Sequence, residues 1–140
     1  MKTLITAVAL TLASFSSLAA SVSFPESLDI TGVNGQTKFN NRQVQLNQGE
    51  NLIELKYYDI FEVNADDSGA WVKSQPLYLL MTSDSQEQYQ AFTPTIDTEE
   101  EAYAFINNPV ITLTDTAGVE KEIALLTHHQ LMSQLLFAKQ

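Results

Sequence analysis

Between Val22 and Leu126 the sequence alternates apolar and polar residues, broken at short intervals by turn residues. Successive side chains of a strand point to opposite faces, so alternation of this kind describes half-buried strands. Leu28 and Ile30 alternate with polar partners and run into Val33-Asn34-Gly35-Gln36. Asn-Gly tolerates positive φ at both central turn positions, which predicts a tight hairpin. Val44 and Leu46 form a short strand stopped by Asn47-Gln48-Gly49-Glu50. A longer strand follows, with Ile53, Leu55, Tyr57, Phe61 and Val63 on one face and Glu54, Lys56 and Glu62 on the other. That is the pattern of a half-buried antiparallel strand. Asp59 interrupts its apolar face. A bulge near Tyr58 that swings the carboxylate outward is one reading, and a buried carboxylate with a partner is the other.

Ala65-Asp66-Asp67-Ser68-Gly69 makes a turn, and Trp71 to Thr82 returns as a strand. Pro76 has no N–H to give to a ladder, so that strand lies at an edge or is bulged there. Gln86 to Phe92 is a weaker strand, closed by Thr93-Pro94. Two segments switch to helical spacing. Thr98-Glu99-Glu100-Glu101 fits a capping box. Ala102, Phe105 and Ile106 then share a face before Asn107-Asn108-Pro109 stops the helix. Val110 to Thr114, the turn Asp115-Thr116-Ala117-Gly118 and Lys121 to Leu126 predict a second hairpin. Thr127 opens a last helix whose Leu131, Met132, Leu135 and Leu136 make an apolar stripe. The expected fold is mainly β, antiparallel, sandwich-like and hairpin-rich. It carries one short helix near 98–107 and a C-terminal helix near 127–138.

The N-terminus predicts where such a domain works. Lys2 supplies a positive start, Leu4 to Ala13 is uncharged, and Ser17-Leu18-Ala19 offers the small residues a signal peptidase reads. This is the layout of a cleaved secretory leader, cut after Ala19 or Ala20, with 21–140 left as one acidic domain. The apolar run is shorter than the roughly 20 residues a membrane-spanning helix needs, so no stable membrane insertion is expected. A periplasmic protein is the simplest outcome, with release past an outer membrane as the alternative. The absence of cysteine excludes disulfides and thiolate metal sites.

Seventeen acidic against seven basic residues give a net charge of −10, which becomes one unit more negative once Lys2 leaves. That balance argues against nucleic acid and anionic lipid, whose affinity comes from Lys and Arg on phosphate. It serves solubility, and it suits a cationic partner.

Catalytic templates are missing: there is no Gly-x-Ser-x-Gly elbow, no phosphate-cradling glycine loop and no His-Glu-x-x-His. His128 and His129 are the only imidazoles. Helical neighbours point about 100° apart, so the two do not share one metal ion, and no cofactor is expected. His128 lines up with Leu131 and Leu135, as a histidine at the edge of the core does. Asp97 with Glu99, Glu100 and Glu101 sits at a helix N-terminus, where the positive dipole end stabilises carboxylates. Asp66-Asp67-Ser68-Gly69 offers oxygens for calcium without the spacing of an EF-hand. Tyr57, Tyr58, Phe61, Trp71 and Tyr78 are either core or a stacking platform for sugar or peptide. Tyr58 and Tyr78 lie on the polar or mixed side of their strands, and with Trp71 they are the binding candidates.

Read in order, these residues resemble the YccT-like family of bacterial envelope proteins, also called the CsgI or UPF-type group. Leu28-Asp29-Ile30 leading to Val33-Asn34-Gly35, Leu46-Asn47-Gln48-Gly49 and the strand from Asn51 to Phe61 carry the resemblance. Ser74-Gln75-Pro76-Leu77, Glu101-Ala102 with Phe105, Pro109 to Leu113 and Asp115 to Gly118 complete it. The resemblance implies a periplasmic, non-enzymatic protein, some members being associated with restraint of curli fibre assembly. It carries over no catalytic residue.

The expected function is therefore a binding module that meets an envelope or fibre-forming protein by pairing along the edge strand at Trp71 to Thr82. The alternative is an envelope hydrolase acting on sugar or peptide, with Asp59 or His128 moving the proton. A calcium-stabilised structural domain is the third reading.

Overall fold

The structure, a computed structural model, describes residues 19–38, 42–61, 69–83 and 86–138. Residues 1–18 of the expected leader, Glu62, Val63 and the turn residues Asp66, Asp67 and Ser68 lie outside the described residues. Among those described, ten strands and two helices follow one another. They are β1 (Ser21–Ser23), β2 (Leu28–Val33), β3 (Gln36–Thr37), β4 (Gln43–Gln45), β5 (Gly49–Phe61) and β6 (Ala70–Lys73). The rest are β7 (Leu77–Ser83), β8 (Gln88–Phe92), α1 (Glu99–Asn107), β9 (Val110–Thr114), β10 (Glu120–Ala124) and α2 (His128–Phe137).

The strands form two sheets. One runs β10-β9-β8-β1-β4; the other runs β3-β2-β5-β6, with β7 also paired to β5. The mainly β architecture with two short helices is the one the alternation predicts. One pair departs from the antiparallel pattern, because β1 runs parallel to β8. The entire second sheet separates those two strands in sequence, and parallel pairs require such a long crossover.

Both expected hairpins are present. Asn34 and Gly35 take φ of 51° and 81°, the double positive φ that joins β2 tightly to β3. Asp115 Oδ1 accepts from the backbone N–H of Ala117 and Val119 at 2.9 and 3.0 Å, fixing the turn from β9 to β10.

Ile53, Leu55 and Tyr57 of β5 are fully buried, as are Val72 and Leu79 beside them. Val22, Ala91, Ile111 and Leu113 meet them from the other sheet, and Ala102 and Phe105 of α1 complete one continuous core. The Phe105 ring lies 5.4 Å from that of Tyr57.

The long strand expected from Trp71 to Thr82 divides at Pro76 into β6 and β7, both on the same side of β5. Ser74 repairs the break. Its N–H donates to the Tyr57 carbonyl at 3.0 Å, and its Oγ accepts the Tyr57 N–H at 2.9 Å. A hydroxyl thus stands where a strand would have offered a carbonyl, so no buried donor is left unmet.

Two further expectations are corrected. No bulge occurs on β5 at Tyr58, because Asp59 pairs in register with Val72 and Ile60 with Trp71. The register shifts instead on β2 between Ile30 and Gly32, and between Lys73 and Leu77, which hold one residue more than the facing stretch of β5. At Thr98 the capping box is only half formed. Glu101 N–H donates to Thr98 Oγ1 at 3.2 Å, but the Glu101 carboxylate accepts from Asp97 N–H at 2.7 Å. The reciprocal box is at Thr127 instead, where Gln130 supplies the return bond to the Thr127 N–H. Of the apolar stripe on α2 only Leu131 is buried, and Met132, Leu135 and Leu136 stay exposed.

Candidate functional site

The outer face of the second sheet gathers all three binding candidates, and its edge adds backbone groups with no strand partner among the described residues. Tyr58 sits next to Tyr57 on β5, so when Tyr57 enters the core Tyr58 must leave it. Its N–H donates to the Ser27 carbonyl at 2.9 Å, which ties its backbone to the β2 side. Its ring turns out beside Trp71, 5.0 Å between centroids at 44°. Trp71 is 51% exposed, unusual for the largest apolar side chain. The ammonium of Lys73 lies 5.4 Å from the Tyr58 ring centre and 5.9 Å from that of Trp71. The cross-strand register sets this arrangement, with Tyr58 opposite Lys73 and Ile60 opposite Trp71.

Backbone direction follows from the same register. Ser74 N–H faces β5, and bonding alternates along a strand, so Val72 also bonds toward β5. Trp71 and Lys73 therefore turn their N–H and C=O groups away from it. No described strand takes that side of β6. On the far side of β7, Tyr78 and Leu126 exchange two backbone bonds at 2.8 Å each. Leu80 and Thr82 present the same side of β7 further along, without a strand partner among the described residues.

Tyr78 is half-buried on this outer face but apart from the Tyr58–Trp71 pair. It stands opposite Glu54, four residues from Tyr58 on β5 and so about 13 Å away along the strand. Burial first, and then the Glu54 charge, raise its phenol above the ordinary value. Tyr57 behaves the same way on the inner face. Burial, then the charge of Asp59 and the bond to it at 3.3 Å, push that phenol upward.

The two proton-transfer candidates are not brought together. Asp59 is half-buried at the rim of the core, accepting from the Tyr57 hydroxyl and from the Ile60 N–H at 2.8 Å. His128 is exposed at the start of α2, its ring 6.2 Å from that of Tyr78. It is not the partly buried histidine that its spacing from Leu131 predicts, because α2 turns only Leu131 inward. Five residues of β5 separate Asp59 from Glu54, the neighbour of Tyr78, which is about 17 Å of strand. Among the described residues no three His, Asp or Glu side chains converge where a metal ion could sit. No described helix is long and apolar enough to cross a membrane.

The sequence assigns neither Lys73 nor Ser74 a role at this face. The signal for Lys73 is faint: two residues after Trp71 it must share that side chain's face, but only the pairing register sets it over Tyr58.

The arrangement defines a small two-sheet β domain with exposed aromatics beside an open strand edge. Its sequence profile places it more closely. The chain belongs to the family described as an uncharacterized protein conserved in bacteria (DUF2057), which matches residues 21–137. No curated protein and no solved structure matches the chain.

Proposed function

We propose that this protein is a non-catalytic binding module of the bacterial envelope, exported by a cleaved leader. In this reading it takes up an extended segment of an envelope or fibre-forming protein along β6. The observation that carries it is the coincidence of outward-facing backbone at Trp71 and Lys73 with the Tyr58–Trp71 ring pair at 5.0 Å. Strand addition draws affinity from backbone bonds and specificity from side-chain contacts on alternate residues, and this edge offers both. The resemblance to the YccT-like group supports a fibre-forming partner, and the family match beginning at residue 21 agrees with a leader ending there.

The test follows assembly of a purified curli-type fibre subunit by dye fluorescence, with and without the purified domain. The domain is expected to lengthen the lag, and Trp71→Ala to restore it. An unchanged lag with the wild-type domain overturns the reading. Cell fractionation with mass determination of the N-terminus checks export.

A further inference from the structure

A second open edge lies where the two sheets approach each other. Strands β3 and β4 are each the outermost strand of their own sheet, and a cleft of about 490 Å³ lies between them. Its walls carry the amides of Asn34, Gln36, Gln43, Gln45 and Asn47, with Lys38 as the only charge among the described lining residues. In a chain with 17 acidic residues, a cleft this size with no carboxylate among the described residues of its lining is a distinct chemical environment.

The floor is held rigid. Asn51 is only 1% exposed, and its Oδ1 accepts from the Asn47 N–H at 2.9 Å and from Asn34 Nδ2 at 3.1 Å. Its own Nδ2 donates to the carbonyls of Asn47 and Gly49 at 2.8 and 3.1 Å. Asn34 Oδ1 in turn accepts the Leu52 N–H at 2.8 Å. One buried amide thus locks the β2–β3 turn to the β4–β5 turn, so the cleft exists before any ligand arrives.

Backbone groups complete it. Leu46 N–H donates to the Ala20 carbonyl at 2.7 Å and Phe24 N–H to the Arg42 carbonyl at 2.8 Å. Residues 42, 44 and 46 therefore bond toward β1, and Gln43 and Gln45 direct their N–H and C=O to the open side. The side chains of Gln36, Gln45 and Asn47 have no hydrogen-bond partner among the described residues. Gln43 spends its Nε2 on Ser21 Oγ at 3.1 Å and keeps its carbonyl.

We propose that this cleft is a second peptide site, binding an extended segment that bears neutral amide and hydroxyl side chains. The inference rests on the reading of the protein as a binder of extended segments but uses residues separate from the Trp71 edge. An amide donates and accepts at once, so it pairs with another amide through two bonds, which a carboxylate cannot return. The negative body repels acidic segments further. A neutral glycan offers similar hydrogen bonds, but among the described residues no aromatic ring lines the cleft to stack on a sugar. The outward backbone of Gln43 and Gln45 matches a strand instead.

The experiment titrates isotope-labelled full-length domain with a capped octapeptide alternating Gln and Ser, followed by backbone amide shifts. Shifts are expected at Gln43, Gln45 and Asn47 and not at Trp71 or Lys73. A peptide with Glu in place of each Gln should bind about tenfold more weakly, several amide bonds being lost. Gln45→Pro removes one outward N–H while sparing the ladder to β1 and should weaken binding about fivefold, a single hydrogen bond's worth. Should Gln45→Pro fail to fold, Gln43→Ala with Gln45→Ala replaces it, with a loss of about tenfold expected. Absence of shifts at millimolar peptide, shifts confined to Trp71 and Lys73, or response only to a neutral hexasaccharide would each overturn the proposal. So would binding indifferent to the substitutions. Shifts at Trp71 alone would sink this site yet favour the β6 edge, whereas an unchanged fibre lag would sink the β6 reading and leave the cleft standing.

Discussion

Tyr57 and Tyr58 are neighbours on one strand, and each belongs to a different protein in physical terms. Tyr57 faces inward, fully buried, with Phe105 against its ring and its hydroxyl reaching Asp59. Tyr58 faces outward, with Trp71 and Lys73 against a half-exposed ring. The inner face of β5 spends its aromatic area on holding two sheets and a helix together. The outer face leaves about half of Trp71 in water, at 51% exposed, where that area contributes little to folding. Composition cannot separate the two roles; the pleat of the strand does.

The largest test of this contrast is Tyr57→Ala. Removing a buried aromatic leaves a cavity under α1 as well as lost burial, a cost of about 3–5 kcal/mol. Chemical denaturation should find it, and a change below about 1 kcal/mol would mean that the inner face is not the foundation described here. Ser74→Ala comes next. It deletes the acceptor of the buried Tyr57 N–H at the break between β6 and β7, which should cost about 1–3 kcal/mol. Ser74→Thr keeps an acceptor and should recover part of that loss.

Tyr57→Phe is gentler and carries a pH signature. The ring and its contact with Phe105 remain, and only the bond to Asp59 is lost, at about 0.5–1.5 kcal/mol. Because the folded phenol is raised, the folded chain keeps its proton after the unfolded chain has released it. The stability Tyr57 supplies is therefore whole below about pH 10 and falls as the pH climbs beyond that value. In Tyr57→Phe this alkaline decline should be shallower, as read from denaturation midpoints at neutral and strongly alkaline pH.

The inner face was the more legible in sequence, for a physical reason. Burial imposes alternation, so Ile53, Leu55 and Tyr57 announce their face without knowledge of their partners. The Asn34-Gly35 turn announces itself for a similar reason, since few residue pairs accept its backbone angles. Nothing local reveals that β1 lies parallel to β8, or that Ser74 meets the buried Tyr57 N–H beside the one-residue bulge that holds Pro76. Those outcomes depend on segments distant in sequence. Two helices opened by threonine make the same point. Both show an apolar stripe, yet α1 buries Ala102 and Phe105 while α2 buries Leu131 alone. Periodicity states which face is apolar, not whether anything covers it. The outer site was half legible: Tyr58, Trp71 and Tyr78 stood out, but only the register between β5 and β6 separates the first two from the third.

The smallest effect on folding belongs to Trp71→Ala, and it is the sharpest test of what the outer face is for. Trp71 is half exposed and meets one ring and one ammonium, so truncation leaves no cavity and strands no donor. Its stability cost should stay within about 0.5 kcal/mol, the range of ordinary surface substitutions. An exposed tryptophan that served folding would cost several times more, through ring contacts worth about 0.5–1.5 kcal/mol beyond area burial. A Trp71→Ala variant with an unchanged melting curve and no effect on fibre lag would separate the two faces as drawn. One with a markedly lowered melting temperature would join them, making the aromatic pair a brace for the β6 strand instead of a surface held ready for a partner.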